Sequence, residues 1–256
     1  MKASNIIIII ILAIAASFVY LWYSTKKPTP TSVKNMIIKI GTNAEYPPYT
    51  FIKKNKIVGF DIDIITEVFR KIKRKYEIKD MAWTALIPAI QLNQIQVIAA
   101  GITATPQREK HAFFTKPYIK GDPLLIVTLA KNQPINNVEE LQGKKVLVDE
   151  GYTADTYMSK QEGISLQRTA SPVQGFLALK SERADAYVIA KSSAIQFFEK
   201  YGIDAFHTAE IKDATESYSF VISKKHPELF EAIQKALLEM EEDGTIRKLK
   251  IKWKLQ

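Results

Sequence analysis

The 256-residue sequence has no cysteine and only three histidines. Without cysteine, the chain cannot form a disulfide bond, a thiolate metal site or a thiol nucleophile, and it cannot carry a lipid-modified cysteine. His111, His207 and His226 lie far apart, and none has the spacing of a metal ligand set or a catalytic triad. The sequence therefore predicts no metal site and no cofactor.

The sequence also lacks a concentrated basic segment, although its net charge is positive. Lysine and arginine outnumber aspartate and glutamate by 36 to 27, which gives a formal net charge of +9. Such a balance suits nucleic acid, an anionic membrane surface or an acidic ligand. Because the lysines are scattered along the chain, they are more typical of a solvated surface. We expect no nucleic-acid partner and a monomeric protein.

The N-terminus contains a long uncharged apolar run, residues 6–23, with the sequence IIIIIILAIAASFVYLWY. The length of this run as an α-helix is close to the thickness of a bilayer core. A cleaved signal sequence has a shorter apolar region, and here the run continues well past the small residues 13–15. We interpret residues 1–25 as a membrane anchor, with a signal sequence as the alternative. The proline-containing polar residues 26–36 are interpreted as a linker. This organisation predicts a protein of the cell envelope, on the extracytoplasmic face, anchored in the inner (plasma) membrane.

Beyond the linker, strand and helix patterns alternate, which is typical of α/β folds. Residues 37–42, IIKIGT, form a β-branched apolar run that ends near a glycine and predict a buried strand. In the following loop, NAEYPPY, two prolines stiffen the backbone that carries Tyr46 and Tyr49. Asp61 precedes apolar residues at helical spacing and is predicted to be the N-cap of that helix.

Arg108 has no role in the local structure that its neighbours predict. Thr105 is the expected N-cap and Pro106 the first residue of a helix, which places Arg108 in the first turn. A cation at that end opposes the helix dipole. An anion held between Arg108 and the N–H groups near Thr103 would remove the conflict, because a guanidinium binds a carboxylate through two parallel hydrogen bonds. Gly101 would let that anion approach the backbone closely. An exposed arginine without a partner is the alternative.

Five motifs occur in order along the chain: IGTNAEYPPYTF, VGFDIDI, ALIPAI, AAGITATPQREKHAFFTKPY and EEDGTIRKLKIKWKL. Through them the chain, from about Ile38 onward, resembles the extracellular solute-binding proteins that serve polar amino acid uptake by ABC transporters, and within that family the basic amino acid binders.

The resemblance implies an α/β fold of the type II periplasmic-binding-protein kind. Two α/β lobes joined by a two-strand hinge would close on a ligand in the cleft. Lobe 1 would hold residues 37–120 and 218–256, and lobe 2 residues 122–217. The implied partners are a small-molecule amino acid, of the arginine or lysine type, and an ABC transporter permease.

The resemblance also implies the roles of individual residues. Arg108 matches the arginine that clamps the ligand α-carboxylate, and the backbone N–H of Thr103 assists it. Thr153 matches a threonine of lobe 2 that also meets the carboxylate. Gly101 matches the position whose carbonyl accepts a hydrogen bond from the α-amino group.

Tyr46 and Trp83 match an aromatic pair that sandwiches the ligand side chain, where a cationic head group would gain a cation–π interaction. Basic amino acid binders often carry an aspartate toward the distal cation of the ligand. This chain has Asn43 at that position, which is neutral and can only form hydrogen bonds. Glutamine and histidine are therefore alternative ligands.

A second departure concerns the acid that pairs with the ligand α-ammonium, because Ala190 occupies its position. An unpaired buried ammonium is costly, so another carboxylate must substitute or the ligand lacks that group. Glu150 and Glu216 are the candidates. The same departure leaves two alternatives open: an enzyme similar to cyclohexadienyl dehydratases, with one of these glutamates as general acid, and a ligand-sensing module that signals to a separate partner. We expect a binding protein without catalytic activity.

Overall fold

The computed structural model describes residues 36–255. The predicted anchor, residues 1–25, and all but the last residue of the predicted linker, residues 26–36, lie outside the described residues. Between residues 36 and 255, no helix combines the length and the apolar character that a bilayer crossing requires. The elements described below belong to one structural unit that begins at Ile38.

The first of two central sheets has five strands. They are β1 (Ile38–Thr42), β5 (Tyr76–Asp80), β6 (Val97–Thr103), β7 (Ala112–Phe114) and β13 (Tyr218–Ser223). Their order is β5-β1-β6-β13-β7; β1 runs parallel to β5 and β6, and β13 runs antiparallel to β6 and β7. A small antiparallel sheet follows β1 and consists of β2 (Glu45–Tyr46), β3 (Thr50–Lys53) and β4 (Lys56–Val58).

Five helices belong to the same part of the chain. They are α1 (Phe60–Ile72), α2 (Trp83–Gln91), α3 (Pro106–Glu109), α7 (Pro227–Glu242) and α8 (Thr245–Lys252). The apolar residues of α1 that face the core recur at helical spacing, and each is buried: Ile64, Ile65, Val68 and Phe69. Strand β6 is buried along almost its whole length, as expected for an interior strand that is covered on both faces. We call the first sheet, the small sheet and these helices lobe 1.

The second central sheet also has five strands. They are β8 (Asp122–Leu129), β9 (Lys145–Asp149), β10 (Ser165–Thr169), β11 (Ala186–Ala190) and β12 (Phe206–Glu216), in the order β10-β9-β11-β8-β12. The α-helices of this part are α4 (Thr153–Met158), α5 (Pro172–Lys180) and α6 (Lys191–Tyr201), accompanied by 3-10 turns at Glu139–Leu141 and Ile203–Ala205. Alternate residues of β9 and β11 pack into separate apolar clusters on the two faces of the sheet. We call this part lobe 2.

Two chain segments pass side by side between the lobes. One joins β7 to β8, and the other joins β12 to β13 through Ser217. The segments are hydrogen-bonded to each other, because Tyr218 N donates to Ile119 O at 3.0 Å and Tyr118 N donates to Tyr218 O at 2.9 Å. They form the two-strand hinge. The exact lobe boundaries suggested by the sequence, at residues 120–122 and 217–218, stay a prediction.

The predicted N-cap role of Asp61 is wrong. Gly59 is the N-cap of α1, with a φ of 144°, and a Cβ at this position would lie 2.0 Å from the carbonyl oxygen of Tyr49. Asp61 is instead the second residue of the helix and is fully buried. Its Oδ2 accepts hydrogen bonds from Gly101 N at 2.7 Å and from the Tyr118 hydroxyl at 2.6 Å. The Asp61 carboxylate therefore connects α1 to Gly101 of β6 and does not cap its own helix.

Candidate functional site

Arg108 lies at the start of α3, as the sequence predicts, and its guanidinium bridges the two lobes. Thr105 is the N-cap, and its hydroxyl accepts a hydrogen bond from Arg108 N at 3.2 Å. Nη1 donates to the carbonyl of Thr103 at 2.7 Å, and Nη2 donates to the carbonyl of Gly151 in lobe 2 at 2.8 Å. The guanidinium carbon also lies 5.4 Å from the centre of the Trp83 ring. One residue thus contacts both sides of the cleft.

The environment of Arg108 favours an anionic partner. Burial lowers the pKa of the guanidinium, and the nearby Glu216 partly opposes this effect. A guanidinium has more N–H donors than its two bonds to carbonyls use. Since carbonyl oxygens do not neutralise its charge, a carboxylate beside Arg108 would gain both charge neutralisation and a charge-assisted hydrogen bond.

Glu216, the last residue of β12, lies inside the cleft with only 4% of its surface exposed. Its Oε2 accepts hydrogen bonds from the hydroxyls of Tyr218 at 2.6 Å and Tyr46 at 3.2 Å. The pKa of Glu216 is raised to about 7, chiefly by burial and also by the neighbouring Asp122, against the opposing effects of Tyr218, Thr153 and Arg108.

Asp122 is paired with Glu216 across β8 and β12 and forms a second buried carboxylate at the hinge. Its Oδ1 accepts a hydrogen bond from Ser192 N at 3.1 Å, and its Oδ2 lies 2.8 Å from the Tyr218 hydroxyl, whose single proton is shared between the two acids. Burial also raises the pKa of Asp122. The Tyr218 hydroxyl therefore contacts two acids, and a cation placed beside Glu216 would stabilise its ionised form.

The two candidate glutamates occupy different environments. Glu150 is exposed in the turn after β9, and its backbone N–H donates to Thr169 O at 2.9 Å. Glu216 is buried against Tyr46, which is one of the predicted site residues. Ala190 is buried at the end of β11, opposite Leu124 of β8. Of the two glutamates, Glu216 is the one that the fold brings to the other predicted site residues.

The predicted aromatic pair, Tyr46 and Trp83, is in contact with a third ring that the sequence did not single out. The ring of Tyr152 stacks on Trp83 with a centroid distance of 4.2 Å and an interplanar angle of 27°, and it lies 5.5 Å from the ring of Tyr46. The Tyr152 hydroxyl donates to Oδ1 of Asn43 at 3.3 Å. Tyr152 belongs to lobe 2 and the other three residues to lobe 1, so no local pattern in the sequence could reveal these contacts.

Gly101 and Thr103 shape the lobe 1 side of the site. Gly101 has a φ of 60°, and a Cβ here would lie 2.8 Å from Cε1 of the buried Tyr46 ring, so both the backbone and the packing require glycine. Besides its carbonyl bond to Arg108, Thr103 accepts a hydrogen bond from Ser217 N through its hydroxyl at 3.2 Å. The loop that carries Arg108 is thereby connected to the hinge.

Sequence reasoning missed the buried carboxylates that surround this site. Burial raises the pKa of Asp61 and of Asp149 to about 7 in each case. Asp149, the last residue of β9, accepts hydrogen bonds from the hydroxyls of Tyr187 and Thr169. The acidic residues nearest the cleft therefore bind protons more readily in the folded chain than in the unfolded chain.

The fold and the cleft define a class of protein. Two α/β lobes joined by a two-strand hinge, with an arginine and a buried acid between them, are the architecture of a type II periplasmic binding protein. In agreement, residues 38–256 match the family described as bacterial extracellular solute-binding proteins, family 3, and the chain belongs to this family.

Individual relatives refine this assignment. The chain is 30% identical over 237 residues to the arginine-binding extracellular protein ArtP of Bacillus subtilis, and this alignment covers 90% of each chain. Structures of an ancestral arginine-binding protein, one bound to arginine and one bound to glutamine, each superpose with a TM-score of 0.79 at 35% identity and cover 85% of this chain and 97% of theirs.

These comparisons confirm the predicted family and fold class. The chain is a bacterial extracellular solute-binding protein of family 3, and its relatives include amino-acid-binding proteins. Its relatives are binding proteins rather than enzymes, which agrees with the prediction of a non-catalytic protein and disfavours the dehydratase alternative.

The raised pKa of Glu216 predicts how stability depends on pH in the absence of ligand. Between the ordinary pKa of 4.5 and the folded-state value of about 7, the folded chain retains a proton that the unfolded chain has lost. The free energy of unfolding should therefore fall as pH rises through this window, with Asp61 and Asp149 contributing in the same direction. In Glu216→Gln this fall should be smaller by up to about 3 kcal/mol.

Urea unfolding at pH 4.5, 6 and 7.5 measures this difference. Glu150→Gln, which neutralises an exposed carboxylate, is the matched control and should follow the wild-type profile. Parallel profiles for Glu216→Gln and the wild type would contradict the assignment.

Proposed function

We propose that this protein binds a cationic α-amino acid of the arginine or lysine type between its lobes and delivers it to an ABC permease. The main observation is that Arg108 and Glu216 lie in one cleft: Arg108 donates to the carbonyl of Thr103, whose hydroxyl accepts from the N–H of Ser217, the residue after Glu216. A zwitterion with a carboxylate and an ammonium group matches this pair of opposite charges. The similarity to ArtP and to the ancestral arginine-binding protein supports a basic ligand.

In this proposal Arg108 binds the α-carboxylate, with help from the N–H of Thr103 and the hydroxyl of Thr153. Glu216 pairs with the α-ammonium and takes the place of the acid that is missing at Ala190, and the Gly101 carbonyl accepts a second hydrogen bond from the same group. The position of Thr153 supports this grouping, because its side chain lies near enough to Glu216 to lower the pKa of that acid.

The ligand side chain would extend toward Tyr46, Trp83 and Asn43. The aromatic rings suit a cationic head group through a cation–π interaction. Asn43 adds a neutral hydrogen-bonding group: its Nδ2 donates to Met81 O at 3.3 Å, and its Oδ1 accepts from Tyr152. A neutral amide also suits glutamine, and the structure of the ancestral protein bound to glutamine makes that amino acid the second candidate.

Arg108→Ala should greatly weaken amino acid binding. Truncating one partner of a buried charge-assisted pair costs about 2–5 kcal/mol, which corresponds to roughly 30-fold or more in affinity. Arg70→Ala removes an exposed arginine that is paired with Glu67 on the outer part of α1 and is the matched control. Calorimetric titration with arginine measures the affinity, and circular dichroism verifies the fold. Wild-type affinity in Arg108→Ala would refute the proposed pocket.

Ligand binding should also release a proton. Near its pKa of about 7, Glu216 is partly protonated, and an ammonium group beside it favours the carboxylate. We therefore expect proton release at pH 6, measured by calorimetry in two buffers with different ionisation enthalpies, and an affinity that rises between pH 6 and pH 8. Glu216→Gln should abolish both effects, whereas Glu150→Gln should retain them. A proton uptake, or no difference between the two variants, would show that Glu216 does not bind the ammonium.

We further propose that the protein is monomeric and tethered to the extracytoplasmic face of the inner membrane by residues 1–25. The uncharged apolar run at residues 6–23 supports the anchor. After expression in a bacterial host, the full chain should sediment with membranes, and a chain that starts at Val33 should not. Recovery of a soluble protein whose N-terminus lies after the small residues 13–15 would identify a cleaved signal sequence instead.

A further inference from the structure

Tyr152, in lobe 2, contacts all three residues of the proposed side-chain subsite, which we define as Asn43, Tyr46 and Trp83. Its ring stacks on Trp83 and contacts Tyr46, and its hydroxyl donates to Asn43. Only 6% of its surface is exposed. A planar group with a polar end, held against two aromatic rings and an amide, makes the same kinds of contact that a long polar ligand side chain would make there.

We propose that Tyr152 is a specificity-determining residue that competes with the ligand side chain for this subsite. The proposal rests on the function proposed above, because it takes the same three residues as the side-chain subsite. A ligand with a long side chain must displace the Tyr152 ring from at least one of its partners. A ligand with a short side chain reaches Arg108 and Glu216 without displacing it. Tyr152 therefore lowers the affinity for long side chains relative to short ones.

The backbone around Tyr152 is held in place, so the ring cannot easily be moved by a local shift of the chain. The carbonyl of Gly151 is bound to Arg108, and Gly151 N donates to Oδ2 of Asp155 at 2.9 Å. Tyr152 N donates to Asp149 O at 3.1 Å. Gly151 itself has a φ of 73°, and its Cβ position lies 3.4 Å from Nε1 of Trp83, which leaves little space for the backbone to approach the indole. Space for a long ligand must come from rotation of the Tyr152 side chain or from a wider separation of the lobes.

The phenol ring and its hydroxyl make separable contributions. Stacking on Trp83 and contact with Tyr46 depend on the ring, whereas the bond to Asn43 depends on the hydroxyl alone. Tyr152→Phe therefore keeps an aromatic ring in the side-chain subsite, and Tyr152→Ala removes that ring. Tyr152→Ser is a second truncation that retains a polar group, and it serves if the alanine variant fails to fold.

The test compares the affinity of the protein for arginine with its affinity for alanine. Both affinities are measured by calorimetric titration of the full-length wild type and of each variant, and their ratio is the arginine-to-alanine ratio. Alanine engages the carboxylate and ammonium groups but has no long side chain, so it reports on Arg108 and Glu216 alone. We expect Tyr152→Ala and Tyr152→Ser to raise the arginine-to-alanine ratio by about tenfold or more, equivalent to about 1.4 kcal/mol. Tyr152→Phe should keep the ratio close to the wild-type value.

Each outcome separates this proposal from the proposed function. If the wild type binds arginine and truncation leaves the ratio unchanged or lowers it, Tyr152 is a platform for the ligand rather than its competitor, and the inference is wrong while the proposed function stands. If only the truncated variants bind arginine, the inference holds and the basic specificity of the natural protein is wrong. If neither the wild type nor the truncated variants bind arginine, both proposals are wrong.

Discussion

The structure of the cleft depends on one half-buried cation, the guanidinium of Arg108. It is hydrogen-bonded to a carbonyl of each lobe, and neither carbonyl neutralises its charge. The local structure does not favour a cation at the start of α3, because the helix dipole opposes it. The charge is favoured by a residue far along the chain, the buried acid Glu216 at the hinge, and, in the proposed function, by the carboxylate of the ligand. The loop from Gly101 to Arg108 is shaped to hold this one group.

In the proposed binding mode, the acid that pairs with the ligand ammonium comes from a different strand than the family resemblance predicts. Ala190 at the end of β11 leaves lobe 2 without the acid that the family resemblance predicts there. Glu216 ends β12, beyond β8 in the same sheet, and its hydrogen bonds to Tyr46 and Tyr218 extend into lobe 1. Because the electrostatic requirement concerns where the charge lies and not which strand carries it, the two solutions are physically equivalent near the ligand.

Much of the fold was predictable because its signals are local. Strand and helix periodicities, the Thr105 cap and the position of Arg108 depend on neighbours within a few residues. Three features were not predictable, for three different reasons. Asp61 was mistaken for an N-cap because its true partners, Gly101 and Tyr118, lie far along the chain. Which of Glu150 and Glu216 lies in the cleft could be decided only from how far the fold buries each of them. The position of Tyr152 required the relation between the lobes, which no single segment encodes.

The Tyr152 contacts also bear on how the protein distinguishes its free and bound forms. A ligand shifts a conformational equilibrium only by the difference between its affinities for the two conformations. Contacts that the chain makes with itself across the cleft, such as Tyr152 with Trp83 and Arg108 with Gly151, stabilise closure whether or not a ligand is present. The ligand side chain gains little from closure where it must replace contacts of the same kind. The charged groups of the ligand are different, because neither Arg108 nor Glu216 has an oppositely charged side chain among its hydrogen-bond partners. We therefore infer, on the proposed function, that the coupling between binding and closure comes mainly from the α-carboxylate and α-ammonium, and that the side chain acts mainly on selectivity.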